Sequence, residues 1–165
     1  MRRRMFGLLF LALTPALAPG QTSDQPSGQG YSFFAPGGIS GGGATTGTLH
    51  FGGGVEALFY KGLGVGGELG YLAPNRCFSN GIGILSLNGS YHFRNSKPPR
   101  KAVPFVTGGY SLGFRSGTQD LFNFGGGVNY WMRDHLGLRL EFRDHVNPRY
   151  GTAHYWEFRI GLAFR

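Results

Sequence analysis

The sequence predicts an all-β fold, a closed antiparallel barrel of eight strands in up-and-down meander order, and three observations carry it. From Tyr31 onward the 165-residue chain has no apolar stripe of 3.6-residue period long enough for a helix. In its place come eight runs of alternating character, at 30–39, 48–60, 63–72, 81–94, 103–114, 121–132, 136–144 and 152–164, separated by turn residues. The third observation is compositional: 31 glycines, 15 % aromatic residues and only 15 % charged residues. A water-facing domain carries about 25 % charged side chains, so something other than water is expected to cover part of this surface. The glycines have no three-residue period, which excludes collagen, and the many aromatics exclude a disordered chain.

Taken in order, the chain begins with a targeting segment. Arg2, Arg3 and Arg4 form a basic start, 6–13 (FGLLFLAL) an apolar core and 14–20 (TPALAPG) a small-residue exit, the pattern of a secretory signal ending near Gly20. Pro15 and Pro19 interrupt it well short of the roughly 20 apolar residues of a spanning helix. Loss of the three arginines lowers the formal net charge from +8 to +5, and export further weakens any nucleic-acid reading. Residues 21–29 (QTSDQPSGQ) read as a polar leader, and 30–165 as one barrel domain.

Parity decides the environment of each strand. In the last run Trp156, Phe158, Ile160, Leu162 and Phe164 oppose Tyr155, Glu157, Arg159, Gly161 and Ala163. In the seventh, Leu136, Leu138, Leu140 and Phe142 oppose Arg139, Glu141 and Arg143. The second sets Leu49, Phe51, Val55, Ala57 and Phe59 against His50, Glu56 and Tyr60, and the third sets Val65, Leu69 and Tyr71 against Glu68. In the fourth, Leu85, Leu87, Tyr91 and Phe93 oppose Ser86, Asn88, Ser90 and His92. Val106, Tyr110, Leu112 and Phe114 in the fifth run, and Phe122, Phe124, Val128 and Tyr130 in the sixth, extend the apolar face. The first run is the exception in kind, because Pro36 cannot donate a ladder hydrogen bond and a closed barrel has no free edge; it is expected near a rim.

A soluble sandwich also alternates, but its polar face is dense in Lys, Glu and Thr. Here the polar face carries Gly, Ser, Asn and Arg/Glu sets with almost no Lys, and the apolar face ends in large aromatics, as an interfacial girdle requires. An inverted barrel accounts for both, and in a bilayer open strand edges find no water, so the strands must close. Most runs approach the 9–11 residues of a tilted transmembrane strand.

With its signal, eight amphipathic strands and the closing strand YWEFRIGLAF, the chain resembles the small bacterial outer-membrane β-barrel proteins of the eight-stranded OmpA-like type over residues 30–165. The resemblance implies an outer-membrane location, contact with outer-membrane lipids, and a final strand (Trp156, Phe158, Ile160, Leu162, Phe164) resembling the signal read by the assembly machinery. Members usually end on the aromatic itself, whereas here Arg165 follows Phe164. No peptidoglycan-binding domain follows the barrel, so that role is not carried over, and a monomer is expected.

If the N-terminus starts in the periplasm, 40–47, 73–80, 115–120 and 145–151 face outward, while 61–62, 95–102 and 133–135 face the periplasm. Short outer loops argue against a large folded binding surface. GGG at 41–43, 52–54 and 125–127 and GLGVGGELG at 62–70 are not phosphate loops, since a strand pattern continues where a helix N-terminus would be needed; glycine here relieves crowding in a narrow barrel. His50, His92, His135, His145 and His154 lack metal-ligand spacing, only His50, His92 and His154 are placed inward or at a rim, and neither a metal nor any other cofactor is expected. Cys77 has no partner for an internal disulfide. Some eight-stranded outer-membrane barrels are lipid A deacylases or palmitoyl transferases, and EFRDHVN at 141–147 loosely resembles the deacylase His-x-Ser pattern. Asn147 stands where the serine nucleophile is needed, and an amide does not replace an activated hydroxyl, so no catalytic role is expected.

The inward charges remain. Glu56, Glu68, Glu141 and Glu157 with Arg139, Arg143 and Arg159 are expected to pair inside, because an arginine on the lipid face near the midplane costs about 2–4 kcal/mol and a glutamate less. Arg139 is expected to pair across strands with Glu157, not with Glu141 of its own strand. An eight-stranded barrel is just wide enough for side chains to fill. The expected function is that of a plugged structural, envelope-integrity or surface-interaction barrel, not an open porin, with a lipid-modifying enzyme or a soluble exported barrel for apolar ligands as alternatives.

Overall fold

The computed structural model describes residues 27–41, 44–93, 101–149 and 153–165; the expected signal at 1–20 and most of the leader lie outside them. Eight strands run β1 (Ser27–Gly41), β2 (Ala44–Tyr60), β3 (Leu63–Pro74), β4 (Ile82–His92), β5 (Ala102–Phe114), β6 (Thr118–Trp131), β7 (Leu136–Asn147) and β8 (Ala153–Phe164). Each pairs antiparallel with the next and β8 pairs back with β1, closing the barrel. A 3-10 turn, Phe78–Asn80, lies in the β3–β4 connection.

Alternation is set by the pleat, which sends successive side chains to opposite faces. In β4 it is unbroken from Ile84 to His92: Ile84, Ser86, Asn88, Ser90 and His92 are buried, while Leu85, Leu87 and Tyr91 are exposed. The polarity is inverted relative to a soluble protein. Leu87 is 66 % and Phe158 60 % exposed, whereas Arg143 is 0 % and Glu68 2 % exposed.

The barrel's two ends differ. At one, β2 turns into β3 through Lys61 and Gly62, whose φ values of 43° and 94° give the positive pair that a type I′ hairpin turn requires. The other end carries Cys77 and the connections β1–β2, β3–β4, β5–β6 and β7–β8. These are called the Lys61 end and the Cys77 end below.

Four details differ from the sequence expectation. The first strand begins at Ser27, not residue 30, because Ser27, Gly28 and Gln29 pair with Leu58, Ala57 and Glu56. Pro36 sits within β1, not at a rim. It pairs with Leu49 of β2, while the β1–β8 ladder omits Ala35 and Pro36 between Phe34↔Ile160 and Gly37↔Glu157, which accommodates the missing N–H. Tyr60 is exposed, since the register shift between Leu58 and Tyr60 rotates it off the inward parity. Finally β7 continues to Asn147, three residues past the expected end, so His145 belongs to the barrel wall and not to a loop.

Candidate functional site: the charged interior

Six of the seven charged residues singled out from the sequence meet in one buried network. Glu68 of β3 is its hub: Oε2 accepts from Arg143 Nη1 at 3.2 Å, Arg159 Nη1 at 2.7 Å and the Tyr31 hydroxyl at 3.0 Å. Glu141 accepts from Arg139 Nε at 3.0 Å through Oε2 and from Arg143 Nε at 2.6 Å through Oε1. Arg159 Nε donates to Glu157 Oε1 at 2.5 Å. Three carboxylates thus face three guanidiniums, and two of the guanidiniums each bridge two carboxylates, Arg143 joining Glu68 to Glu141 and Arg159 joining Glu68 to Glu157, as Arg's planar fork allows.

The expected Arg139–Glu157 pair is not formed. Arg139 lies opposite Gly161, while Glu157 lies opposite Arg143. Residues two apart on one strand share a face at a rise of about 3.3 Å per residue, a span that an arginine side chain covers easily. Same-strand pairing with Glu141 therefore wins.

Glu56 stands outside this network, toward the Lys61 end. It accepts from Gln29 Nε2 and from Ser90 Oγ, and His92 Nε2 lies 3.2 and 3.1 Å from its two oxygens. His92 in turn stacks on Phe105 at 5.2 Å with the rings 20° from parallel.

Toward the Cys77 end a third cluster holds His50, His145 and Glu157. His50 Nδ1 is 2.8 Å from Glu157 Oε2 and His145 Nε2 is 3.6 Å from Glu157 Oε1. His50 Nε2 and His145 Nδ1 are buried with no hydrogen-bond partner. Beyond them Asp144 Oδ2 meets His154 Nδ1 at 2.6 Å. The opposite wall is neutral: Ser86 and Ser111 share a 2.7 Å hydroxyl contact, and Asn123 Nδ2 donates to Ser111 at 2.8 Å.

Sequence reasoning missed the inward aromatics. Tyr31 and Phe33, with Trp131, Ala35 and Ala163, form a buried apolar cluster, and Leu72, Ile84 and Leu121 form another. Arg139 stacks over Phe105 at 3.9 Å and Tyr31 at 4.3 Å, and Arg159 over Phe33 at 4.1 Å. Weakly hydrated guanidinium faces thus rest on rings while their edges hydrogen-bond. The available signal was parity: Tyr31 and Phe33 share the register of Gln29. The strand expected to carry the assembly signal exposes Phe158, Ile160, Leu162 and Phe164, with Trp156 half-buried. Asn147 is buried, and its Oδ1 accepts from the Arg149 backbone N–H at 2.9 Å.

No family model and no curated protein matches the sequence. Solved structures do. The N-terminal β-barrel domain of Pseudomonas aeruginosa OprF superposes with a TM-score of 0.59 at 15 % identity, covering 84 % of this chain and 98 % of that one. Neisserial surface protein A (NspA) gives 0.62 at 13 %, covering 84 % and 97 %. Ail, the attachment invasion locus protein of Yersinia pestis, gives 0.59 at 13 %, covering 86 % and 99 %. The chain has the fold of the small eight-stranded outer-membrane barrels. Both the closed meander and its strand number are theirs, whereas identities of this size carry no residue roles across.

Proposed function

We propose that the chain is an integral outer-membrane barrel whose lumen is filled by side chains, with a structural, envelope-integrity or surface-interaction role and no open pore. The single observation behind this reading is the inversion of polarity: three glutamates and three arginines are buried in mutual contact, while leucine, valine and phenylalanine cover the outer face. A water-facing outer wall would leave that apolar surface uncompensated, whereas hydrocarbon accepts it. The similarity to outer-membrane barrels supports the same location. In this reading 1–20 directs export, the outer face contacts outer-membrane lipids, the assembly machinery inserts the chain through its final strand, and the barrel acts as a monomer. The Cys77 end faces outward. No catalytic step is assigned, since Asn147 offers no nucleophile.

Cell fractionation with unboiled gels tests the reading. The protein is expected in the outer membrane, migrating differently before and after boiling; recovery as a detergent-independent periplasmic protein would overturn it. In planar bilayers the purified barrel is expected to show no large, stable unitary conductance, and reproducible porin-like steps would overturn the filled lumen.

A further inference from the structure

The cluster at His50, His145 and Glu157 has chemistry that a charge-filled plug does not use. It combines two imidazoles and a carboxylate from three different strands, β2, β7 and β8. One donor atom of each lies within 4.8 Å of the others, and all three residues are buried. We propose that these three side chains form a binding site for a first-row divalent cation of the zinc type.

Two imidazoles and a carboxylate are a donor set that imidazole-binding first-row metals take. Tetrahedral zinc with bonds of about 2.1 Å separates its donors by about 3.4 Å; His50 Nδ1 lies 2.8 Å from Glu157 Oε2, and one donor atom of each of the three residues lies within 4.8 Å of the others, so small side-chain rotations gather them around one ion. The cation takes the place of the proton shared by His50 Nδ1 and Glu157.

Glu157 is oriented for this. Its Oε1 keeps the Arg159 guanidinium at 2.5 Å, leaving Oε2 toward His50, and Arg159 is anchored independently by Glu68 at 2.7 Å. The guanidinium is thus held beside the ligand carboxylate, fixing its direction as outer-shell partners of metal ligands do. The backbone makes room as well, because a Cβ at Gly70 would overlap the His50 imidazole. Two separate imidazoles approach Glu157, one toward each oxygen, which sets this cluster apart from the Glu56–His92 contact, where a single nitrogen, His92 Nε2, sits against both carboxylate oxygens.

The proposal rests on the buried geometry and not on the membrane location, so the two fail separately. Its test uses the full mature barrel without a histidine tag, refolded in detergent and stripped with chelator. Calorimetric titration with zinc chloride is expected to give one site per chain, and cobalt chloride to give the intense visible bands of a four-coordinate site. His50→Ala and His145→Ala are each expected to weaken zinc binding at least about tenfold, with His92→Ala and His154→Ala unchanged. Unboiled-gel mobility establishes that each variant is folded. Where a variant does not fold, the cobalt spectrum of the unmodified protein decides: weak six-coordinate bands overturn the site. Absence of saturable zinc binding, binding indifferent to His50 and His145, or binding abolished by His154→Ala, which would place the ion at the Asp144 rim, overturns it equally.

Discussion

Two carboxylate–histidine clusters lie on either side of the same charge network, and they are built differently. Near the Lys61 end, Glu56 is enclosed by Gln29, Ser90 and His92, and the imidazole is stacked on Phe105. Near the Cys77 end, Glu157 reaches two histidines, one at 2.8 Å and one at only 3.6 Å, with a ring nitrogen on each left unpartnered. Every buried polar group carries a desolvation cost that hydrogen bonds offset. The first cluster offsets it within the protein. The second brings two imidazoles to one carboxylate, one toward each oxygen.

The largest expected effect comes from the group between them. Glu68→Ala removes the oxygen that holds Arg143, Arg159 and Tyr31, stranding buried positive charge, and is expected to cost about 3–5 kcal/mol in reversible urea unfolding from lipid vesicles. A loss below about 0.5 kcal/mol, that of an ordinary surface change, would show that water reaches the network.

Arg139 provides the next test. A double-mutant cycle of Arg139→Ala with Glu141→Ala is expected to show coupling of about 0.5–3 kcal/mol, whereas Arg139→Ala with Glu157→Ala should be additive to within about 0.5 kcal/mol. The reverse result would restore cross-strand pairing and contradict the 3.0 Å same-strand bond.

At the enclosed cluster, Ser90→Ala takes one donor from Glu56 and is expected to cost about 1–3 kcal/mol by the same unfolding measurement. Added zinc is expected to raise the unfolding midpoint of this variant as it does that of the parent chain, because the Glu157 cluster is untouched. A zinc response lost with Ser90 would erase the distinction between the two ends.

The smallest perturbation asks only which cluster faces outward. Cys77 is exposed, and an impermeant maleimide on intact cells is expected to label it. Labelling only after the outer membrane is opened would reverse the orientation and place the Glu56 cluster outside.

Much of the barrel was legible in the residues because a pleat with period two writes its environment directly into the sequence; β4 and β8 read with the correct faces along their length, and β7 as far as Arg143. What escaped has specific causes. A β-bulge at Leu58/Tyr60 shifts parity without any residue announcing it, so Tyr60 was assigned to the wrong face. Truncating β7 at Asp144 removed His145 from consideration, although it shares the parity of Arg139, Glu141 and Arg143, and the metal-ligand set spans 107 residues between His50 and Glu157, beyond any local spacing rule. Alternation gives the face of Arg139 but not the reach of its side chain, and its partner followed from register that the sequence does not contain. The inward Tyr31 and Phe33 were hidden because aromatics were read only as lipid-facing.

The omission of Ala35 and Pro36 from the β1–β8 ladder gives the wall a line of easiest parting. That seam joins the first strand to the last and is the one a meander can complete only when all eight strands exist. Where its main-chain stitching lapses, the tie is made across the bore: Arg159 leans on Phe33, and Glu68 accepts from both Tyr31 of β1 and Arg159 of β8. Closure is therefore locked from within, and the filling of the barrel also serves as its clasp.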